Sequence, residues 1–375
     1  MSMLYYLQKK WCRMKKHLLF IGNKFQNNSC LQHYVLRAVS QRFESINTIS
    51  FFGDSDNTLF LELEALLQEE IRLIIVTSRS NAAVIGKLLS TITSDNQILK
   101  EQMLIPSRTT LFEPDSYVLE YQQARINVIV ATENETLPPI ILDEERRSAK
   151  LHIFNESAGD VKMLLEPLAQ SFDIRFDLNV VVDDWIEVSI TSRRYGNIAQ
   201  FLTAAKQLLP NKLIASSNIV AYIIEKLQHA NKKITFAESC TGGLLAAMFT
   251  KESGASAVFE GSLVTYSNHL KSNWLAVDDA VLERHGAVSV EVVAEMSEGA
   301  LNVSYADYAL SISGIAGPEG GSKEKPVGTV CLSARSKHKE NHMMVLFHGD
   351  RNAIQEQSAL FAIKMLLLLE RELFF

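Results

Sequence analysis

Between residues 17 and 145, short and almost uninterrupted apolar runs alternate with longer amphipathic ones. "KHLLFIG", "INTISFF" and "IRLIIVTS" read as strands, and "LQHYVLRAVSQRF" and "LFLELEALLQEE" as helices. A strand that is apolar at successive positions is buried on both faces, and the helices between such strands supply the cover. The expected class is therefore α/β, opening with a doubly wound parallel sheet. Ligands of such sheets sit beyond the carboxyl ends of the strands. This sequence has "GNKFQNN", "GDSDN" and "SRSNAA" there, none of them glycine-rich. The first domain has the architecture of a binding domain without an obvious binding loop.

The remaining chain reads as two further units. Residues 149–210 run strand, helix, strand, strand, helix, which suggests a small α+β module with its helices on one face, closed by Pro210. A third unit opens with the amphipathic "NIVAYIIEKLQHANKK". The expected domains are 14–148, 149–212 and 213–375, with Met14 an alternative working start. Five of the seventeen glycines precede residue 231 and twelve follow it, so chemistry that needs close backbone approach is concentrated in the last domain.

Composition narrows the function classes. A net charge of −6 argues against a broad phosphate-binding surface, and the basic run "KKWCRMKK" at 9–16 reads as a solvated face. Neither nucleic acid nor membrane is an expected partner. Only Leu18 to Ile21 are contiguously apolar after that run, too few for a signal-peptide core. The terminal "AIKMLLLLERELFF" contains charges and reads as a buried helix. Four cysteines without a CxxC pair fit a reducing compartment, and the nine histidines lack HExxH spacing, so no zinc site is expected. The expected location is cytoplasmic.

Three stretches can carry chemistry. In "KITFAESCTGGLLAAMFTK" a strand gives way to a helix around Ser239, Cys240 and Thr241. A helix amino terminus offers free N–H donors to an anion, and serine and threonine are also preferred caps, so nucleophile and cap both remain open for Ser239. Cys240 is expected to be a buried small hydrophobe. Glu238 reads as an electrostatic complement to the helix start, and Asp278 and Asp279 as a further start. In "VTYSNHLKSNWL", Lys271, His269 and Tyr266 are alternative bases. In "DYALSISGIAGPEGGSKEKPVGTVCLSA", Gly314, Gly317, Gly320 and Gly321 follow a strand, as in a phosphate-binding loop or a hairpin tip. "FHGDRNAIQEQSA" places His348, Asp350 and Arg351 before a helix, where the arginine could clamp a phosphate or carboxylate.

Together, "AESCTGG", "VTYSNHLK", "HGAVS", "SISGIAGPEGGSKEKPVGTV" and "GDR" resemble the carboxyl-terminal domain of the competence/damage-inducible CinA family, which also occurs alone as nicotinamide-nucleotide amidase. The resemblance covers roughly residues 213–375. It implies hydrolysis of the carboxamide of nicotinamide mononucleotide to nicotinate mononucleotide and ammonia, with no metal or cofactor. It implies Ser239 as nucleophile, Lys271 as its base and Tyr266 as an active-site tyrosine. Thr241, Gly242 and Gly243 would line the oxyanion and phosphate side. Ser313, Gly314 and Gly317 would lie in the nucleotide loop, and Arg351 would hold the phosphate. Lys271 must then be neutral, through burial or a neighbouring cation such as Arg351.

Residues 17–145 resemble the family's molybdopterin-binding-like domain, and 149–212 its small middle module. The family's "GGLGPT" loop is replaced here by "SRSNAA", and its "GNELL" or "GTELL" by "GNKFQ", with Lys24 in place of an acid. The first domain is therefore expected to be a degenerate scaffold. Two alternatives stand beside amide hydrolysis. One is a non-catalytic nucleotide-binding or interaction protein. The other is residual ADP-ribose pyrophosphatase activity in the first domain, for which Asp54 and Asp56 are the available acids. Long apolar helices and the three-domain layout suggest a homodimer.

Overall fold

The computed structural model describes residues 15–43, 46–142, 148–193 and 195–375. Most of the basic run at 9–16, with Met14, lies outside the described residues. The chain divides into two compact units, Met1–Arg146 and Arg147–Phe375.

The first unit is built on β1 (Lys15–Ile21), β2 (Thr48–Phe52) and β3 (Ile71–Thr77). It continues through β4 (Gln97–Lys100), β5 (Met103–Pro106), β6 (Thr109–Glu113), β7 (Ser116–Tyr121) and β8 (Ala124–Val130). Six of these form a sheet in the order β2-β1-β3-β8-β7-β6, while β4 and β5 make a separate hairpin. The four strands from β2 to β8 are parallel; β7 and β6 add an antiparallel edge. Leu19 and Ile21 pack with the helices Leu59–Leu67 and Arg79–Ile92, whereas Leu18 and Phe20 pack with Ser29–Arg42. This two-sided burial is why the strand runs are apolar at consecutive positions. At the strand ends the polar groups pair with one another. Asn81 donates to Asp54 at 2.7 Å, Asp56 accepts from the Thr58 N–H and hydroxyl, and Lys24 donates to the Ala131 carbonyl at 2.8 Å.

The second unit contains two sheets. β9 (Ser148–Phe154), β10 (Ile174–Val182), β11 (Trp185–Ser192) and β12 (Leu213–Ala215) form an antiparallel sheet in the order β10-β11-β9-β12. The helices Ala158–Ser171 and Ile198–Leu208 bury Val161, Leu165, Phe201 and Ala205 against one face of it. β12 lies just past the expected boundary at 212, so the small sheet takes its last strand from the segment that opens the third domain.

The larger sheet has the order β14-β13-β15-β16-β17, from β13 (Ile234–Glu238), β14 (Phe259–Val264), β15 (Tyr308–Gly314), β16 (Thr329–Ser336) and β17 (Glu340–Leu346). β13 is an interior strand, parallel to both neighbours; β16 and β17 continue antiparallel. Ile219–His229, Leu244–Thr250 and Arg351–Leu369 cover one face, and Asn268–Leu275, Asp279–His285 and Val290–Ser304 the other. Ser267, Asp278, Ser289 and Asp350 each accept a backbone N–H as N-caps. The terminal apolar run is the Arg351–Leu369 helix, with Ile354, Phe361, Ile363 and Leu366 buried. Its core cluster also takes in Phe154, Val182, Trp185 and Ile214 from the small sheet, so the two sheets share one hydrophobic interior. Lys364 of the same helix donates to the Asp183 carbonyl at 2.6 Å. No helix of the described residues is long and apolar enough to cross a membrane.

Candidate active site

β13 ends at Glu238, and the chain turns sharply through residues 239–243 before the Leu244–Thr250 helix. The turn is pinned by the sheet itself: the Ser239 N–H donates to the Ile312 carbonyl of β15 at 2.9 Å. Gly242 and Gly243 sit at φ +60° and +97°, a left-handed backbone that strains any side chain with a Cβ. The space where a Cβ of Gly242 would lie is open. Gly243, not Ser239, is the N-cap residue, and Ser239 caps nothing.

The helix start is occupied from within the chain. The Glu238 carboxylate, fully buried, accepts from the N–H groups of Gly243 (3.0 Å), Leu245 (3.1 Å) and Ala246 (3.0 Å), and from the Ser262 hydroxyl (2.9 Å). This is the electrostatic complement that the sequence suggested, and its reach is longer than spacing reveals. It also takes the Gly243 amide out of the set of donors open to a ligand. The Gly242 amide is engaged as well, donating to the Ser239 carbonyl at 3.1 Å.

Lys271 comes from the first turn of the Asn268–Leu275 helix on the opposite face of the sheet from Leu244–Thr250. Its ammonium is buried and lies 3.0 Å from the Ser239 hydroxyl and 2.8 Å from the Thr265 carbonyl. Both acceptors are neutral. Desolvation drives its pKa down from 10.5 to about 8, so burial, rather than Arg351, is what favours the free amine. The hydroxyls of Thr241 and Thr265 are buried nearby in sequence and lack a hydrogen-bond partner. Cys240 is buried in the core as expected, and that burial raises its thiol pKa to about 12, which leaves the thiolate inaccessible near neutral pH.

Arg351, at the head of the long helix, ties two loops together. It donates to the Gly317 carbonyl at 2.7 Å and to the Tyr266 hydroxyl at 3.1 Å. Tyr266 is largely exposed, so the structure joins it to Arg351 rather than to Ser239 or Lys271. His269, the other candidate base, is paired with Asn273. Gly314 packs against β16, where an added Cβ would meet Val330 at 2.7 Å, and Gly317, at φ +80°, would meet Val327 at 2.5 Å. Both glycines thus serve loop packing. The Ser313 hydroxyl donates to the Ala287 carbonyl at 2.7 Å, and Lys325 donates to the His285 and Val288 carbonyls at 2.9 and 2.6 Å. These contacts fasten the glycine loop onto the "HGAVS" turn. Among the described residues, no group of three or more histidines, cysteines or acids is placed to hold a metal ion.

Two residues escaped the sequence reading. Lys325 stands in the "SKEKP" segment already singled out, but a loop lysine carries no signal of what it will reach. Gln355 donates to the Cys240 carbonyl at 2.6 Å. Its signal was its position four residues after Arg351, which puts both side chains on the same face of one helix.

Comparison with known proteins bears on this same half of the chain. Residues 216–369 match the family described as CinA C-terminal domain. The nicotinamide-nucleotide amidohydrolase PncC of Escherichia coli strain K12 is 47% identical over 143 residues, which are 38% of this chain and 87% of that protein. A CinA-like protein of Fervidobacterium nodosum is 44% identical over 144 residues, 38% of this chain and 35% of its own length. One from Thermosipho melanesiensis is 39% identical over 188 residues, 48% of this chain and 45% of its own. The chain therefore matches less than half the length of these CinA-like relatives. The crystal structure of the competence/damage inducible protein CihA from Agrobacterium tumefaciens is 38% identical, covering 40% of this chain and 93% of that one, with a TM-score of 0.40.

Proposed function

The chain belongs to the CinA family, and from that premise we propose that its carboxyl-terminal half hydrolyses the carboxamide of nicotinamide mononucleotide, yielding nicotinate mononucleotide and ammonia. One observation carries the reading: a buried amine with a depressed pKa, unpaired with any carboxylate among the described residues, lies 3.0 Å from the hydroxyl at the end of β13. An amide is a weak electrophile, so its cleavage needs an activated nucleophile and a site for the developing oxyanion.

In the neutral form of Lys271 the same contact reverses, and the Ser239 hydroxyl donates to the amine. The hydroxyl oxygen then bonds to the carboxamide carbon while its proton passes to Lys271, and the carbonyl electron pair moves onto oxygen. Lys271 returns the proton to the amide nitrogen, the carbon–nitrogen bond breaks, and ammonia leaves an ester on Ser239. Water, deprotonated by Lys271, cleaves that ester and restores the serine. Arg351 anchors the phosphate at the rim, with Tyr266 beside it and the glycine loop around the nucleotide. Binding energy from the phosphate holds the carboxamide at attack distance.

The test is ammonia release from nicotinamide mononucleotide by the full chain. Ser239→Ala and Lys271→Ala are each expected to abolish it while the protein remains folded. Full turnover by folded Ser239→Ala would remove the proposed nucleophile.

A further inference from the structure

In the turn that follows β13, three of the five backbone N–H groups are already engaged: Ser239 with Ile312, Gly242 with Ser239, and Gly243 with Glu238. The Cys240 and Thr241 N–H groups have no oxygen acceptor among the described residues, and of the two only Thr241 adds an unmatched hydroxyl, buried with 3% of the residue exposed. A buried donor without an acceptor costs about 1–3 kcal/mol. Two on one residue, two positions beyond the proposed nucleophile, mark where a ligand oxygen belongs.

What fixes the direction of that N–H is the peptide it belongs to. The Cys240 carbonyl and the Thr241 N–H share one planar trans peptide and point in opposite directions. The carbonyl is held at 2.6 Å by Gln355 Nε2. The Thr241 N–H is therefore turned away from the Arg351–Leu369 helix, whose face of the sheet is opposite that covered by the helix bearing Lys271. Without that tether nothing among the described residues holds the Cys240 carbonyl, and the peptide can rotate.

We propose that Gln355 is a positioning residue for the reaction: its hydrogen bond to the Cys240 carbonyl orients the Cys240–Thr241 peptide so that the Thr241 N–H stabilises the oxyanion formed when Ser239 attacks. This rests on the amidase reading and adds to it a division of labour on one helix. Arg351 at its head binds the substrate's phosphate, and Gln355 one turn later sets the geometry of the reacting end. Loss of an oxyanion donor appears in kcat rather than KM, because the donor is used most fully in the transition state.

The experiment measures kcat and KM for ammonia release by the full chain carrying Gln355→Met, which keeps length without a donor, and Gln355→Glu, which keeps shape. Both should lose about 10–100-fold in kcat with KM within about twofold of the parent. Gln355→Arg, which restores an N–H at similar reach, should recover most of the loss. Gln355 is partly buried, so thermal unfolding checks that all three variants remain folded. Parental kcat in the Met and Glu variants, a loss confined to KM, or an equal loss in the Arg variant would each overturn the proposal. If the unaltered chain releases ammonia and Ser239→Ala does not, any of these results removes Gln355 alone. If the unaltered chain releases none, the amidase reading falls and this inference with it.

Discussion

The parallel strands of the two larger sheets end in polar turns, but the turns use their polar groups differently. Around β1 and β3 in the first unit, the charged and amide groups satisfy one another: Asn81 with Asp54, Thr58 with Asp56, Lys24 with Ala131 and Glu133, Arg79 with Asp115; the buried Thr77 hydroxyl is the exception. At the end of β13 in the second unit, a buried lysine meets only neutral oxygens, and Thr241 keeps both its N–H and hydroxyl unmatched. A sheet of this architecture offers a place for a site. Whether one exists depends on which groups there are left unsatisfied: the end of β3 leaves a lone threonine hydroxyl, that of Thr77, whereas the end of β13 leaves a buried amine beside a hydroxyl, with unmatched donors in the adjoining turn.

The largest effect that could break this contrast is on turnover. Ser239→Ala or Lys271→Ala should lower kcat for ammonia release by at least about 10³-fold. Asp54→Ala, in the first unit, should leave it unchanged; a comparable loss there would erase the distinction. Next is Glu238→Gln, which places an amide N–H against backbone donors. It should destabilise the second unit by about 2–3 kcal/mol in urea unfolding.

Lys271→Met should move stability the other way. The folded pKa of about 8 lies below the ordinary 10.5, so burial costs stability in full below pH 8 and the cost fades as pH rises to 10.5. The variant should exceed the parent by about 1–3 kcal/mol at pH 7, with the gap shrinking across that window. The same titration sets activity: kcat/KM should rise through about pH 8 and level off above it, since the base must be free of its proton. A flat profile from pH 6 to 10 would exclude Lys271 as the base.

Arg351→Ala should raise KM by about tenfold with a smaller change in kcat. The smallest effect belongs to the first unit, where Arg79→Ala removes a partly exposed ion pair to Asp115. That should cost about 0–1 kcal/mol and nothing in ammonia release.

Much of the fold could be read from local pattern. The unbroken apolar runs of β1 and β3 report burial on two faces, and the small module's helices keep their apolar residues to one side. The antiparallel edge β7–β6 and the strand Leu213–Ala215 could not be read that way, because partner choice depends on contacts distant in sequence. The candidate site divides similarly. Ser239 and Lys271 are 32 positions apart, and each was conspicuous as a polar residue where an apolar element changes type. That Lys271 would be the buried member, with His269 paired to Asn273, required the packed sheet. Gly243 was read as an oxyanion-side residue, but Glu238 turns back to claim its amide, and no spacing rule announces that. Gln355 gave only its distance from Arg351.

The aromatic joint between the small sheet and the long terminal helix has a practical consequence. The Trp185 and Phe154 rings pack with centroids 5.2 Å apart and planes tilted by 36°, with Phe375 edge-on to Phe154 at 5.6 Å. Cutting the chain at 213 to obtain a minimal catalyst would strip Trp185 and Phe154 from that joint and leave a raw oily flank facing solvent. Such a fragment would tend to clump, and a cleaner truncation begins before β9, so that the smaller sheet travels with the larger as one indivisible piece.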